Sequence, residues 1–410
     1  MKIEDLALQR SKYKHLSDDE WRWFLQQVEG RERTADKLPT FATIEDWWYP
    51  VRLSCEQCSS ELAARYKASL VSGKKMADLT GGYGVDTYFM SAAFEHTDYV
   101  EQNAELCRIA EHNFSFLSPQ GARLFQKSDI RIQNCTAEEF LSSLSGEVGR
   151  GYDLIFLDPA RRDSHGGKVF RLEDCTPNVV ELLPTLLAHG KRLMIKLSPM
   201  LDLTQAVHQL QSDNVQGTKV TWDIYVVANK NEVKEVLLLS QESKAKSQEP
   251  TITAIDLDKK DQAFVFTREE EQNAVFSCQP SVFRYLYEPN AAILKAGAYK
   301  LIAQRFGLAK LDVNTHLYCS DELVPEFPGR VWKIKEPTPE CSTDVHWKSD
   351  RAELFTRKGK ELQQANVLCR NYPLTPEQLK KKLHLRDGGT DFVIGCRVNG
   401  KPTLFCAERV

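Results

Sequence analysis

A glycine turn between a short strand and a helix start constrains this chain more than any other feature. Residues 76–80 (MADLT) read as a strand, and three glycines follow within four positions: Gly81, Gly82 and Gly84. Glycine at Gly82 and Gly84 permits a positive φ and lets a ligand approach the main chain. Glu101 ends the next predicted strand, 17 residues after Gly84, where a carboxylate accepts hydrogen bonds from ribose hydroxyls. The pattern predicts an open α/β sheet that holds an adenosine.

The acids around the glycine turn help to separate two classes of cofactor. A nicotinamide dinucleotide site expects G-x-G-x-x-G/A with a pyrophosphate on the helix N-terminus, and Gly82-x-Gly84-x-x-Thr87 only approaches that pattern. Asp78 precedes the turn and Asp86 opens the helix, where a phosphate would be repelled. S-adenosylmethionine carries an ammonium and a sulfonium and no phosphate, so both acids favour it. The loop alone leaves open a structural glycine turn with surface acids.

A second motif follows the predicted fourth strand. Residues 152–157 (YDLIFL) form the apolar run expected of a strand buried on both faces, and residues 158–162 (DPARR) come directly after it. Ligands of open sheets lie beyond the carboxyl ends of the strands. We therefore expect Asp78, Glu101 and Asp158 to face one crevice.

These motifs together resemble class I S-adenosylmethionine-dependent methyltransferases. The glycine loop, the ribose acid and the Asp-Pro motif match in order and spacing, with Thr80 replacing the first glycine of the commonest version. In that family the end of the third strand contacts the adenine, which implies Thr136 and Ala137. The cofactor-binding residues implied by the motifs are Asp78, Thr80, Gly81, Gly82, Gly84, Asp86, Glu101, Thr136, Ala137 and Asp158.

Further segments look like one bacterial group of candidate RNA methyltransferases. They are residues 56–61 (EQCSSE), the DPARR motif, 196–202 (KLSPMLD), 286–290 (LYEPN) and 295–297 (KAG). That group carries a ferredoxin-like module and a C-terminal THUMP-like domain after its methyltransferase domain. The resemblance implies S-adenosylmethionine as cofactor and a structured RNA, tRNA or rRNA, as partner.

The predicted fold is α/β, with a Rossmann-like class I methyltransferase domain built on a seven-stranded, mostly parallel sheet. A helical N-terminal segment precedes this domain and smaller α+β modules follow it. In the family the seventh strand inserts antiparallel between the fifth and sixth. The predicted strands are 76–80, 97–101, 130–134, 153–157, 192–197, 221–227 and 233–239, with two more at 251–257 and 263–267.

Four segments are predicted along the chain. They are a helical segment at 1–66, the methyltransferase domain at 67–275, a ferredoxin-like module at 276–336 and a THUMP-like domain at 337–410. The third should contain one helix, 290–306, and the last should contain a helix at 376–383. Asn399-Gly400, between two β runs, predicts a tight hairpin.

Composition favours a cytoplasmic enzyme without a membrane segment. No apolar stretch approaches the roughly 18 residues needed to span a bilayer, and the first residues lack the order of a signal peptide. Cys55 and Cys58 form a lone C-x-x-C pair, which favours buried thiols over a metal site.

The net charge is −3, but residues 330–410 hold 16 Lys and Arg against 10 Asp and Glu, a local +6. A solvated helix face is the plainer interpretation of its Lys380–Lys382 run.

The acceptor side of the reaction is predicted around the Asp-Pro motif. Asp158 is expected to orient or deprotonate the acceptor, with Pro159 and Arg161 beside it as catalytic residues. Methyltransferases of exocyclic amines carry a second proline and an aromatic residue at the positions of Ala160 and Arg161, so an amino acceptor is not assigned. The predicted substrate-binding residues are Arg161, Arg162, Lys196 and Ser198; surface arginines paired with neighbours remain an equal alternative.

The sequence thus predicts an S-adenosylmethionine-dependent methyltransferase acting on structured RNA. One alternative is a methyltransferase for a protein or small molecule. The other is a non-catalytic RNA-binding protein with an inherited cofactor fold. The sequence assigns neither an oligomeric state nor a methylated atom.

Overall fold

The computed structural model describes residues 6, 9–117, 129–144, 151–161, 172–212, 220–240, 249–278, 283–335, 356–357, 360–361 and 363–410. The chain divides into two compact units. The first comprises residues 1–224 with 235–248, and the second comprises 225–234 with 249–410.

The N-terminal segment is helical, as predicted. Its first long helix starts at a capping box in which the Ser17 hydroxyl accepts the Glu20 N–H and the Glu20 carboxylate accepts the Ser17 N–H. Phe41 and Trp47 stack with ring centroids 4.1 Å apart and pack with Tyr88 from the helix that follows the glycine turn. The segment therefore covers the glycine-turn helix. Its helices are α1 (Asp18–Thr34), α2 (Pro39–Ala42), α3 (Arg52–Gln57) and α4 (Glu61–Ser69).

One sheet of nine strands runs through the middle of the chain, in the order β11-β10-β8-β9-β7-β4-β1-β2-β3. Strands β1 to β4 and β7 pair in parallel, and β9 pairs antiparallel with β7. The strands are β1 (Lys75–Asp78), β2 (His96–Val100), β3 (Asp129–Gln133), β4 (Tyr152–Leu157), β7 (Gly190–Leu197), β8 (Trp222–Asn229), β9 (Glu232–Ser240), β10 (Thr251–Asp256) and β11 (Phe264–Thr267). A short separate pair, β5 (Ala160–Arg161) and β6 (Cys175–Thr176), follows the Asp-Pro motif.

This topology confirms the predicted methyltransferase sheet. The antiparallel β9 lies between β7 and β8, as the seventh strand of the family does between the fifth and sixth. Strands β10 and β11, also predicted as strands, extend the sheet beyond the expected seven. The helices that accompany it are α5 (Val85–Ser91), α6 (Ala104–Phe114), α7 (Ala137–Ser143), α8 (Val179–His189), α9 (Leu203–Ser212) and α10 (Arg268–Asn273).

A second sheet, of seven strands, lies in the second unit and runs β13-β14-β12-β15-β20-β19-β18. It combines strands from both predicted C-terminal modules, because β15 pairs with β20. The sheet curls, since Asn371 beyond β18 donates a hydrogen bond of 3.2 Å to Thr315 on β14. Its strands are β12 (Tyr285–Pro289), β13 (Ala309–Asp312), β14 (Thr315–Ser320), β15 (Gly329–Ile334), β18 (Asn366–Arg370), β19 (Asp391–Val398) and β20 (Lys401–Arg409). A short pair, β16 (Thr356–Arg357) and β17 (Lys360–Glu361), stands apart.

Two local predictions for the second unit had different outcomes. The hairpin is confirmed: β19 and β20 pair throughout, with Asn399 and Gly400 both at positive φ. The helix at 290–306 was wrong as a single helix, because Gly297 adopts a φ of 84° and ends the first half. The segment forms α11 (Ala291–Ala296) and α12 (Leu301–Phe306), while α13 (Pro376–Leu383) begins and ends as predicted.

Candidate active site

The glycine turn is fixed by close packing on the neighbouring strand. The N–H of Gly81 donates to the Val100 carbonyl at 2.9 Å, and the Tyr99 hydroxyl donates to the Gly82 carbonyl at 2.6 Å. A Cβ at Gly81 would lie 2.2 Å from the Tyr99 ring, so only glycine fits there. Gly84 has a φ of 82° at the start of α5, a conformation that side chains disfavour. The turn therefore presents bare main chain at the end of β1.

Asp78 is a buried carboxylate at the carboxyl end of β1, with 1% of its surface exposed. Its oxygens accept hydrogen bonds from the Thr80 N–H, at 3.0 Å, and from the Thr87 hydroxyl. Burial, opposed by these hydrogen bonds and reinforced by the charges of Asp86 and Asp158, raises the pKa of Asp78 to about 7. This carboxylate is therefore poised to change its charge near neutral pH.

Glu101 bridges the end of β2 to the glycine turn. One of its oxygens accepts the Gly82 N–H at 2.8 Å and the other accepts the Asn103 N–H at 2.8 Å. A carboxylate has about four acceptor sites, so each oxygen retains a lone pair for another donor. The main chain thus orients Glu101 without using up its capacity to bind hydroxyl groups.

Asp158 lies beyond β4 and is tied to both neighbouring strands. Its N–H donates to the Thr80 hydroxyl at 2.6 Å, which joins the ends of β1 and β4. Its carboxylate accepts a hydrogen bond of 2.5 Å from the Lys196 ammonium at the end of β7. The Asp158 side chain is 39% exposed and the Lys196 side chain only 11%. Burial acts to lower the pKa of Lys196, but the charges of Asp158, Asp86 and Glu235 outweigh it and raise that pKa.

A cavity of about 250 Å³ lies at these strand ends in the first unit. Five acids line it, whereas Lys196 is the one lysine or arginine in its described lining. A cationic ligand is therefore favoured and a phosphate is not. The acids are Asp78, Asp86, Glu101, Glu138 and Asp158.

Comparison with a crystal structure identifies the family. A candidate methyltransferase from Porphyromonas gingivalis W83 is 32% identical in sequence, superimposes with a TM-score of 0.79, and matches over 96% of this chain and 92% of its own. The chain belongs to this family of methyltransferases.

Sequence relatives and domain models agree with that assignment. Two Mycobacterium tuberculosis proteins, from strains CDC 1551 and H37Rv, are named uncharacterized S-adenosylmethionine-dependent methyltransferases; each is 21% identical over 367 residues, 89% of either chain. A model of a ferredoxin-like domain matches residues 285–328 of our methyltransferase, and a THUMP domain-like model matches 346–409. The enzyme is an S-adenosylmethionine-dependent methyltransferase.

The structure gathers most of the predicted site residues of the methyltransferase around one cavity. Every predicted cofactor-binding position lines it, and so does Lys196. Lys196 was predicted at the rim as a substrate-binding residue, yet it is largely buried and holds Asp158. Those lining residues are Asp78, Thr80, Gly81, Gly82, Gly84, Asp86, Glu101, Thr136, Ala137, Asp158 and Lys196.

Two of the remaining predicted residues, Pro159 and Ser198, are outside the described lining of the cavity. Pro159 follows Asp158 and is half-buried, and Ser198 is exposed, with its hydroxyl accepting the Met200 N–H at 3.3 Å. The backbone of Arg161 belongs to β5, but its side chain and all of Arg162 lie outside the described residues. Their predicted roles toward the acceptor stay predictions.

Sequence reasoning missed one wall of the cavity. Ser54, Gln57, Cys58 and Ser59, at the end of α3 and beyond it, line the site together with the Asp-Pro motif. Lys37 fixes this wall, since its ammonium donates to the carbonyls of Cys55 and Glu56 at 3.0 and 2.8 Å. The resemblance of residues 56–61 to the family was the available signal. Thr176 and Pro177 form another unpredicted part of the lining.

The thiols of Cys55 and Cys58 are hydrogen-bonded within the segment. Cys55 donates to the Pro50 carbonyl and Cys58 to the Cys55 carbonyl. Burial raises the pKa of Cys55 to about 12 and raises that of Cys58 as well, which keeps both protonated.

Within the described ranges no cluster of three or more His, Cys, Asp or Glu residues could hold a metal ion. In the same ranges no helix is long and apolar enough to cross a bilayer.

Proposed function

We propose that this methyltransferase modifies a nucleotide of structured RNA, tRNA or rRNA, and that Asp158 positions the acceptor. The observation that carries the site assignment is the Asp158 carboxylate, which is partly exposed in the cavity. Lys196 donates to this carboxylate, and the Thr80 hydroxyl accepts the main-chain N–H of Asp158. RNA as the acceptor is supported by the THUMP-like match and by the local +6 charge of residues 330–410. Phosphate contacts by such a segment hold a structured RNA without reading its sequence.

The residues at the ends of β1, β2 and β3 would bind the cofactor. Glu101, with a free lone pair on each oxygen, would accept both ribose hydroxyls. The glycine turn would present its main chain to the cofactor, and the Tyr99 ring behind Gly81 leaves no room for a Cβ there. Thr136 and Ala137, at the start of α7, would contact the adenine. Asp78 would favour the cationic groups of the cofactor when it is ionised.

Methyl transfer requires little chemistry from the chain. Bound S-adenosylmethionine supplies a methyl group that its sulfonium already activates. The methyl–sulfur bond would break as the bond to the acceptor forms, and a nitrogen or hydroxyl acceptor would lose one proton, which the Asp158 carboxylate would take up. Asp158 would accept a hydrogen bond from the acceptor and hold its nucleophilic atom in line, about 3 Å from the methyl group. Positioning by Asp158 then accounts for much of the rate.

Transfer of a labelled methyl group tests the proposal. The enzyme is incubated with tritium-labelled S-adenosylmethionine and total RNA from cells that lack it, beside protein and metabolite fractions from the same cells. We expect label in RNA, reduced by roughly 100-fold or more in Asp158→Ala while cofactor binding is retained. Label confined to protein or metabolites would reject RNA as the acceptor, and full activity of Asp158→Ala would reject the role of Asp158.

A further inference from the structure

Five charged side chains alternate in sign from the interior of the first unit to the cavity. They begin at Glu235 on β9, continue through Lys67 on α4, Asp86 on α5 and Lys196 on β7, and end at Asp158. The ion-pair distances along this order are 2.5, 3.2, 3.6 and 2.5 Å. We call these five residues the charge chain.

Burial distinguishes the charge chain from surface ion pairs. The side chains of Lys67 and Glu235 are 0% and 3% exposed, whereas Asp158 at the cavity is 39% exposed. Both Glu235 oxygens accept hydrogen bonds from Lys67. Burying charges in this way carries a desolvation cost that their mutual attraction does little more than offset, so the arrangement is a weak source of stability. Three of its five members, Asp86, Lys196 and Asp158, line the ligand cavity.

Asp86 connects the interior pair to the active-site pair. Its carboxylate accepts the Ser59 hydroxyl at 2.7 Å and lies near both lysines. Burial acts to raise the pKa of Asp86, but the charges of Lys67 and Lys196 outweigh it and lower that pKa. Asp86 therefore stays ionised and competes with Asp158 for the Lys196 ammonium.

We propose that Lys67 and Glu235 are positioning residues, which act through Asp86 and Lys196 to hold the Asp158 carboxylate toward the methyl acceptor. Neither Lys67 nor Glu235 lines the cavity. Lys67 offsets part of the negative charge of Asp86. Lys196 can therefore keep its shorter contact with Asp158. Without Lys67, Asp86 draws Lys196 toward itself, and Asp158 loses the partner that orients it. The inference rests on the proposed role of Asp158 and adds a support for it on α4 and β9.

A double variant separates positioning from folding. Lys67→Met alone leaves two buried acids short of a cation and is expected to destabilise the fold. Lys67→Met combined with Glu235→Leu removes one charge of each sign and replaces both with apolar groups of similar size, a change that folded proteins often tolerate. The matched control is Lys191→Met, which removes an ion pair of 2.6 Å with Asp153 at the opposite ends of β4 and β7.

Crystal structures of the wild type and the double variant with S-adenosylhomocysteine provide the first measurement. We expect Lys196 to leave hydrogen-bonding distance of Asp158 in the double variant, with the glycine turn unchanged. An unchanged contact between Lys196 and Asp158 would overturn the inference. This result does not depend on the identity of the acceptor.

Kinetics on total RNA provide the second measurement. We expect kcat to fall by about tenfold or more in the double variant, with cofactor Kd within about threefold of wild type, while Lys191→Met retains wild-type values. Wild-type kcat in the folded double variant would also overturn the inference. If wild-type enzyme labels no RNA, the proposed acceptor fails, and the structural measurement still decides the role of Lys67 and Glu235.

Discussion

Two buried carboxylates, one in each unit, are held in opposite ways. Glu288 on β12 is 3% exposed and is paired with two guanidinium groups, those of Arg370 and, at 3.5 Å, Arg330. Asp78 on β1 is equally buried but is held by a main-chain N–H and a hydroxyl group. Burial, together with the charges of Asp86 and Asp158, raises the pKa of Asp78 to about 7. Asp78, which lines the ligand cavity, is thus a costly buried acid, whereas Glu288 is neutralised by its two arginines.

The largest loss of stability is expected when the two arginines that pair with Glu288 are removed. Replacing both Arg330 and Arg370 by Met leaves a buried carboxylate without a cation. We expect the free energy of unfolding to fall by about 3 kcal/mol, near the lower end for a broken buried pair because both arginines are partly solvated. Urea unfolding of the variant measures it. A loss below about 1 kcal/mol would mean that the two arginines do little to stabilise the buried Glu288 carboxylate, and the contrast with Asp78 would fail.

Removing the charge of Asp78 should instead stabilise the protein. Because the folded-state pKa is about 7, above the ordinary value of 3.8, the stability falls as pH rises between those values and stays reduced above 7. Asp78→Asn removes this penalty and should raise the free energy of unfolding at pH 8 by on the order of 2–4 kcal/mol. Unfolding at pH 8 and pH 4 without cofactor measures the difference. Equal effects at both pH values would contradict the raised pKa.

Glu101 tests whether the acids of the cavity serve a ligand. Glu101→Ala removes two acceptor oxygens and should weaken S-adenosylmethionine binding by roughly 1.5–3 kcal/mol, the scale of hydrogen bonds to a charged group. Isothermal titration calorimetry gives the dissociation constant. Glu138→Ala, which changes another acid of the cavity lining, is the comparison variant. An unchanged constant in Glu101→Ala would remove Glu101 from the ribose site.

The smallest effect is expected in the pH dependence of cofactor affinity. Below pH 7 Asp78 takes up a proton and no longer attracts the cationic groups of S-adenosylmethionine. Affinity should fall as pH is lowered from 8 to 6, by at most about tenfold in total, because the ionised fraction of Asp78 falls by about that factor. The same titration on Asp78→Asn subtracts any ionisation of the cofactor itself. If cofactor affinity depended on pH in the same way in wild type and Asp78→Asn, the charge of Asp78 would not contribute to cofactor binding.

Local chemistry made much of this architecture predictable. The glycine turn, Glu101 and the Asp-Pro motif are each defined by a few neighbouring residues, and all three meet at the cavity. Asn399-Gly400 likewise specifies its own hairpin. The same reasoning failed for residues 290–306, where the apolar spacing of a helix concealed the positive φ of Gly297.

What could not be predicted depends on residues far apart in the sequence. Lys67 and Glu235 are separated by 168 positions, and no spacing rule links them. Lys196 was assigned to the rim because it lies at the end of the fifth predicted strand. In the structure it is largely buried, since its ammonium pairs with Asp86 on α5 and with Asp158 beyond β4. The division between the predicted modules at 276–336 and 337–410 stays a prediction, since their strands share one sheet.

The position of β20 affects the order in which the second unit can assemble during synthesis. This strand pairs with β15 on one side and β19 on the other, yet it follows all other strands of its sheet in the chain. A nascent chain that has reached only residue 335 therefore exposes the edge of β15, an open template for association with other chains. Fragments that end after residue 335 but before β20 should aggregate for that reason. The sheet of the second unit can be completed only after β20 has been synthesised.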